Sequence, residues 1–297
     1  MSSFMLQWEI NSIDAGKSVK EFLKQQKISK NALTDIKFNG GNIAVEGQEV
    51  TVRYVLKQND HLTVQFPIEE PSTGLVGEDI PLKVIYEDEY LLVINKPAGM
   101  YTIPSKEHPS GSLANALIGY FQKIGLQATT HIVTRLDRDT SGLVLVAKHR
   151  HLHHLFSEQQ KSGTIKRTYV ALAEGELNKT NGEIEEPIGR KKDSIIEREV
   201  RPDGQYALTH FRVLKKYPDF MLLELRLETG RTHQIRVHLS YLGHPLLGDD
   251  LYGGKVDLLN RQALHCYQLS FYHPFKQKTF EFTVELPEDM EELLKEV

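Results

Sequence analysis

Residues 131 to 148, His-Ile-Val-Thr-Arg-Leu-Asp-Arg-Asp-Thr-Ser-Gly-Leu-Val-Leu-Val-Ala-Lys, constrain the fold more than any other stretch of the chain. Four formal charges, Arg135, Asp137, Arg138 and Asp139, stand immediately ahead of the turn Thr140-Ser141-Gly142, and the apolar run Leu143-Val144-Leu145-Val146-Ala147 follows at once. A short apolar run bounded by a turn signal reads as a buried strand. A carboxylate is therefore delivered to the rim of a hydrophobic wall. Charges beside a strand commonly just face water; a solvated loop and a chemical site both fit these residues.

Composition narrows the setting. At 297 residues the chain has room for two domains, each with its own core. Its 40% hydrophobic and 26% charged residues are those of a globular protein. No apolar run approaches the length that spans a membrane. The opening Met1–Glu9 has neither a basic start nor an apolar core, so no signal peptide is expected, and a cytoplasmic protein is the expectation. Cys266 is the only cysteine, set among apolar neighbours as a quiet buried thiol. A net charge of −4 argues against a general coat of nucleic-acid contacts, while a local basic face remains compatible with it.

Such a face lies near the beginning. Lys17, Lys20, Lys24, Lys27, Lys30 and Lys37 alternate with Val19, Phe22, Leu23, Ile28, Leu33 and Ile36, a pattern that predicts two short helices with a basic outer side. The Asn39-Gly40-Gly41-Asn42 turn, a hairpin over 43–52 and a strand over 61–66 complete a small α+β unit. Its lysines either solubilise it or contact RNA phosphates in a salt-sensitive way. A polar linker at 69–77, carrying Pro71 and Gly74, marks a domain boundary there.

Beyond the linker, strands are expected at 82–86 and 90–95, the second running into Lys96-Pro97-Ala98-Gly99, with a helix over 112–122. His149 and His153 fall on one helix at metal-ligand spacing, but no second ligand pair accompanies them and no metal is expected. Lys166-Arg167-Thr168-Tyr169-Val170-Ala171 reads as strand, with Tyr169 either filling the core or facing a site. A basic loop at 188–193 opens a long hairpin, and strands follow at 209–214 and 221–227. Thr232 as N-cap, Gly243 as stop and Pro245 beyond predict a helix over 233–242. Its opening gathers Arg231, His233, Arg236 and His238, a cationic cluster that a solvated helix face would also produce. The last helix is expected to be short and acidic, over 287–294.

Several ordered segments resemble one family. Arg135-Leu-Asp-Arg-Asp-Thr-Ser-Gly142, Asn95-Lys-Pro-Ala-Gly99, Lys166-Arg-Thr-Tyr-Val-Ala171 and Gly230-Arg-Thr-His-Gln-Ile-Arg-Val-His238 are similar to motifs of the RluA-type pseudouridine synthases. The likeness covers roughly 80 to 297. It departs from the family at Thr134, where His is common. The resemblance implies Asp137, Tyr169 and Arg236 as catalytic residues. It also implies substrate or RNA contacts from Lys96, Arg135, Arg138, Arg231 and His233, with Arg135 entering the RNA stack. The implied fold is α+β, a long mixed and mainly antiparallel sheet with flanking helices and a central cleft. By pattern, the first unit resembles an S4-type RNA-binding domain, with Lys24, Lys27 and Lys30 toward RNA. The organisation expected is an S4-like domain over 1–75 and a catalytic domain over 76–297.

The chemistry fits these residue types. Turning uridine into pseudouridine breaks the bond from base to ribose, turns the uracil and rejoins it through carbon, with water kept out. A carboxylate serves as nucleophile or base, and a guanidinium keeps it ionised and aimed. An aromatic ring supports a flipped base. No step requires a cofactor. The partner expected is structured RNA, ribosomal RNA of the large subunit first and transfer RNA second, handled by a monomer away from membranes. Two other classes compete: a glycoside-type hydrolase pairing Asp137 with Asp139 or another carboxylate, and a noncatalytic RNA-binding protein.

Overall fold

Two main sheets divide the chain, in a computed structural model that describes residues 4–295. The smaller contains β1 (Met5–Glu9), β2 (Asn42–Val45), β3 (Gln48–Glu49) and β4 (His61–Gln65), in the spatial order β1-β4-β2-β3. Helices α1 (Val19–Gln25) and α2 (Lys30–Phe38) precede β2. Ser18 opens α1 with a reciprocal cap: its hydroxyl accepts from the Glu21 N–H while the Glu21 carboxylate accepts from the Ser18 N–H. Val19, Phe22, Leu23, Ala32 and Ile36 are buried, and Lys24, Lys27 and Lys30 lie exposed at the α1–α2 corner. The pair of helices and the hairpin agree with the sequence pattern. Strand β1 had no expectation, because only Leu6 of its five residues is fully buried and the alternation is faint.

The larger sheet has ten strands. In chain order the elements are β5 (Val84–Glu87), β6 (Leu91–Lys96), α3 (Leu113–Lys123), β7 (His131–Ile132), β8 (Ser141–Ala147), α4 (Arg150–Lys161), β9 (Lys166–Glu174) and β10 (Asn181–Glu185). A separate hairpin, β11 (Ile188–Arg190) and β12 (Arg198–Val200), is followed by β13 (Leu208–Lys216), β14 (Phe220–Leu227) and α5 (Gln234–Tyr241). Strands β15 (Leu264–His273) and β16 (Lys278–Thr283) and helix α6 (Glu288–Lys295) finish the described chain. The spatial order is β10-β13-β14-β9-β15-β8-β6-β5, with β16 on β15 and β7 on β8. Every pairing is antiparallel except β8 with β15, so the sheet is mixed and mainly antiparallel.

That parallel contact explains the sequence of the central turn. All of β8 is buried, as a strand covered on both faces should be. Gly142 has φ +116°, and a Cβ there would lie 2.2 Å from the Cys266 carbonyl oxygen. No larger residue lets β8 enter the sheet beside β15 at this point. The loop carrying the four charges is thereby brought to the start of a central strand.

The two sheets are joined by a packed seam. Phe4 stacks on His149, with centroids 4.0 Å apart, and Phe66 stacks on His151. Glu69, in the expected linker, pairs with His131 and accepts from the Arg150 N–H, while the Arg150 side chain pairs with Asp35 of α2. The apolar core runs continuously from the first unit into the second. Among the described residues no helix is long and apolar enough to cross a membrane.

Candidate active site

Asp137 stands on the loop before β8, and its neighbours in sequence hold that loop down. The Leu136 carbonyl accepts from the buried Thr102 hydroxyl at 2.6 Å, and the Thr134 hydroxyl accepts from the Leu145 N–H at 2.9 Å. Thr134 thus closes the loop onto β8 at the position where the resemblance has His. Beneath lies Lys96, with no exposed surface, donating to the carbonyls of Pro97, Met100 and Arg138 at 2.7–3.0 Å. The expectation that Lys96 touches RNA is corrected here: its ammonium ties two loops together inside the protein and reaches no surface. Burial pulls its pKa down to about 7, with Asp139 and Asp137 drawing it back upward.

Ninety-nine residues later in the chain, Arg236 projects from α5 toward the same point. Its Nη1 lies 3.4 Å from Asp137 Oδ2, and its Nε and Nη2 donate to the two carboxylate oxygens of Asp249, each at 2.7 Å. The Tyr252 ring covers the guanidinium at 4.9 Å. Burial opposes the charge on Arg236, but the Asp249 hydrogen bonds and the Asp249 and Asp137 charges outweigh it, so its pKa is raised. His233 Nε2 comes within 3.8 Å of Asp137 Oδ2 while its Nδ1 meets the Tyr252 hydroxyl at 2.8 Å. Burial lowers the His233 pKa, the Asp137 charge opposing.

The start of α5 differs from the expectation. His233, not Thr232, occupies the cap position, at φ +57° and without a side-chain cap bond. Gln234 instead pins the segment ahead of the helix: its Oε1 accepts from the Arg231 N–H and the Thr229 hydroxyl, and its Nε2 donates to Leu208 O and Thr209 Oγ1. A left-handed residue ahead of the helix turns the imidazole toward Asp137 at the cost of some backbone strain. The helix presents no cationic outer face either. Residues Gln234 to Leu239 are all buried, and His238 is fixed between Thr209 Oγ1 and Glu186 O, with burial lowering its pKa.

Tyr169 is buried on β9, opposite Cys266 of β15, which in turn lies opposite Gly142 of β8. Burial pushes its phenol pKa up, and the Asp137 charge adds to the rise. Arg135 and Arg138 are exposed on the Asp137 loop; Arg138 forks onto Asp139 and its guanidinium lies 5.7 Å from the Tyr101 ring. Arg231 is half-buried and donates from Nε to Tyr206 O. Among the described residues no group of His, Cys, Asp and Glu side chains could hold a metal ion. His149, at the head of α4, is engaged with Phe4, and His153 lies beside His131.

Two residues against Arg236 have no individual role from sequence. Asp249 and Tyr252 lie in Gly243-His-Pro-Leu-Leu-Gly-Asp-Asp-Leu-Tyr252, a stretch that shares the family likeness without marking either residue for the site. The available signal was Gly248, at φ +74°, whose Cβ would fall 1.9 Å from Arg261 O. A turn packed this closely against backbone is buried, and so is the acid that follows it.

Comparison with known proteins gives a consistent result. A family model described as RNA pseudouridylate synthase matches residues 90–241. An uncharacterized RNA pseudouridine synthase of Bacillus subtilis, YjbO, is 54% identical over 94% of this chain and 98% of its own length. The ribosomal large subunit pseudouridine synthase D of Yersinia pestis is 41% identical over 76% of this chain and 73% of its own. Among solved structures, human RNA pseudouridylate synthase domain containing 4 superposes with a TM-score of 0.59 at 23% identity, covering 71% of this chain and 91% of that one, a likeness of fold.

Proposed function

The chain belongs to the RluA-type RNA pseudouridine synthases, which are isomerases, and from that membership we propose that it isomerises specific uridines in structured RNA, chiefly large-subunit ribosomal RNA, with Asp137 as catalytic residue. The observation that carries this reading is the approach of Arg236 to Asp137 from a segment 99 residues away, with His233 beside the same carboxylate oxygen. A guanidinium at this distance orients the carboxylate without taking both its oxygens. Asp137 then has a free edge with which to act on the nucleoside as nucleophile or base.

A carboxylate half-sunk beside a central strand cannot reach a nucleoside within a stacked helix. The target uridine is therefore flipped out of the RNA, with Tyr169 supporting the extruded base and the exposed Arg135 filling the gap left in the stack. Arg138, Arg231 and His233 contact the backbone or base around the target. Residues 1–75 serve as an S4-like RNA-binding domain, gripping phosphates through Lys24, Lys27 and Lys30. The protein is proposed to work as a cytoplasmic monomer.

The test is tritium release from RNA labelled at uracil carbon 5. Asp137→Asn is expected to reduce release by at least ~10³-fold, on the scale seen when a reacting group is removed, while RNA affinity stays within about threefold. Undiminished release would exclude Asp137 from the chemistry.

A further inference from the structure

The structure assigns a positioning role to Asp249: by occupying the Nε/Nη2 edge of Arg236, it leaves only Nη1 for Asp137 and so prevents a two-point ion pair that would disarm the catalytic carboxylate. This inference rests on the reading of Asp137 and Arg236 given above, and it concerns a residue outside the catalytic set.

Guanidinium has a strong preference for two-point pairing with a carboxylate. Here that preference is satisfied by Asp249 alone, at 2.7 Å on both contacts, whereas Asp137 receives one contact at 3.4 Å. The asymmetry matches the surroundings. The Asp249 side chain has no exposed surface and each of its oxygens accepts from Arg236, while the Asp137 side chain keeps 29% of its surface open. One carboxylate is locked and the other left available.

Asp249 is itself held by the sheet that carries the site. Leu247 donates its N–H to Leu172 O, Glu174 donates to Pro245 O, and Ala173 bridges to Leu246, so the turn bearing Asp249 is stitched to the end of β9, the strand of Tyr169. Gly248 fits against Arg261 O where no side chain could. From the opposite side, Tyr252 caps the guanidinium face and its hydroxyl accepts from the Arg198 N–H, which connects the β11–β12 hairpin to the same cluster. Arg236 is gripped on its edge and its face, and only Nη1 is turned to Asp137.

Without the Asp249 carboxylate, the guanidinium is free to rotate and pair through two nitrogens with Asp137. A doubly paired carboxylate is a weaker nucleophile and base and is harder to protonate. Asp249→Asn and Asp249→Glu are the variants to compare with wild type and Asp137→Asn, in single-turnover tritium release between pH 4.5 and 8, with folding followed by circular dichroism. The expected result for Asp249→Asn is a loss of about 10²-fold in the single-turnover rate, the scale of a displaced catalytic group, with RNA affinity within about threefold and the acid limb of the rate profile moved to lower pH. Asp249→Glu, which restores a carboxylate on a longer arm, is expected to recover at least part of the rate and to return the acid limb toward its wild-type position.

An Asp249→Asn enzyme with wild-type rate and an unmoved acid limb would overturn the proposal, as would a rate loss with no movement of that limb, which marks a general loosening of structure. Failure of both variants to fold assigns Asp249 to the fold alone and overturns it equally. The reading beneath it fails separately and visibly: Asp137→Asn would then retain activity, whatever Asp249 does.

Discussion

The ion-pair cluster at Asp137 and the seam under the first sheet both remove titratable groups from water, and they handle the cost in opposite ways. In the cluster the charge stays. Arg236 is sandwiched between Asp249 and Asp137, and burial is offset by direct ion pairing. At the seam the charge is given up. Burial pushes His149 and His151 down to about 4, so both rings are neutral at pH 7 and act as flat aromatic surfaces against Phe4 and Phe66. The difference teaches where this protein keeps charge: a guanidinium is held between two carboxylates at Asp137, whereas joining two sheets requires only area and shape.

The largest effect that tests this contrast comes from Arg236→Met. Removing the guanidinium leaves Asp249 as a buried carboxylate without a partner, so a stability loss of about 3–5 kcal/mol is expected, the range for breaking one side of a buried pair. Isomerisation should fall by more than ~10²-fold as well. Urea denaturation and single-turnover tritium release measure the two quantities. Unchanged stability would mean that water relieves Asp249, and the claim that charge is retained there by pairing would be lost.

Acid probes the other region. His149 and His151 have folded pKa values below the ordinary 6.5, so between about pH 6.5 and 4 the unfolded chain binds more protons than the folded one. Stability is therefore fully present above pH 6.5 and declines as pH falls toward 4, by on the order of 2–3 kcal/mol for each ring. Glu69 works in the same direction: burial raises its pKa, but His131 and Arg150 outweigh this and hold it below the usual carboxylate range, so it too is harder to protonate in the folded state. Thermal unfolding followed at a series of pH values should show the decline. A flat profile across this window would show that the rings protonate in place, and the seam would not be the neutral surface described.

How much of this was legible in the sequence follows the same division. Asp137, Arg236 and Tyr169 stood out because charges and an aromatic flank apolar strands in motifs with a family likeness, and the buried strand at 143–147 needed only its apolar run. Lys96 misled because a lysine after a strand ordinarily faces water; nothing local shows that three carbonyls from two loops will close over it. Asp249 escaped because its partner is 13 positions away and its burial depends on how the 246–254 turn packs against β9. His149 and His153 stand at metal-ligand spacing, but their neighbours are Phe4 and His131; Phe4 comes from the far side of a linker, and only tertiary structure brings it there.

The smallest effect is also the most selective. His151 Nδ1 is buried without a hydrogen-bond partner, which is a standing penalty in the folded state. Leucine has nearly the same volume, contributes no polar atom and keeps apolar contact with Phe66 and Phe275, although the ring stacking is lost. At pH 7 these changes nearly cancel, and His151→Leu is expected to lie within about 1 kcal/mol of wild type. At pH 4.5 the balance moves, because wild type must keep a ring neutral that the unfolded chain would protonate and the variant has no such ring. The variant should then be the more stable by roughly 2 kcal/mol, while its isomerase rate at pH 7 stays at the wild-type level because the seam is separate from the Asp137 cluster. An acid slope identical in the two proteins would remove His151 from the account and leave His149 alone to carry it.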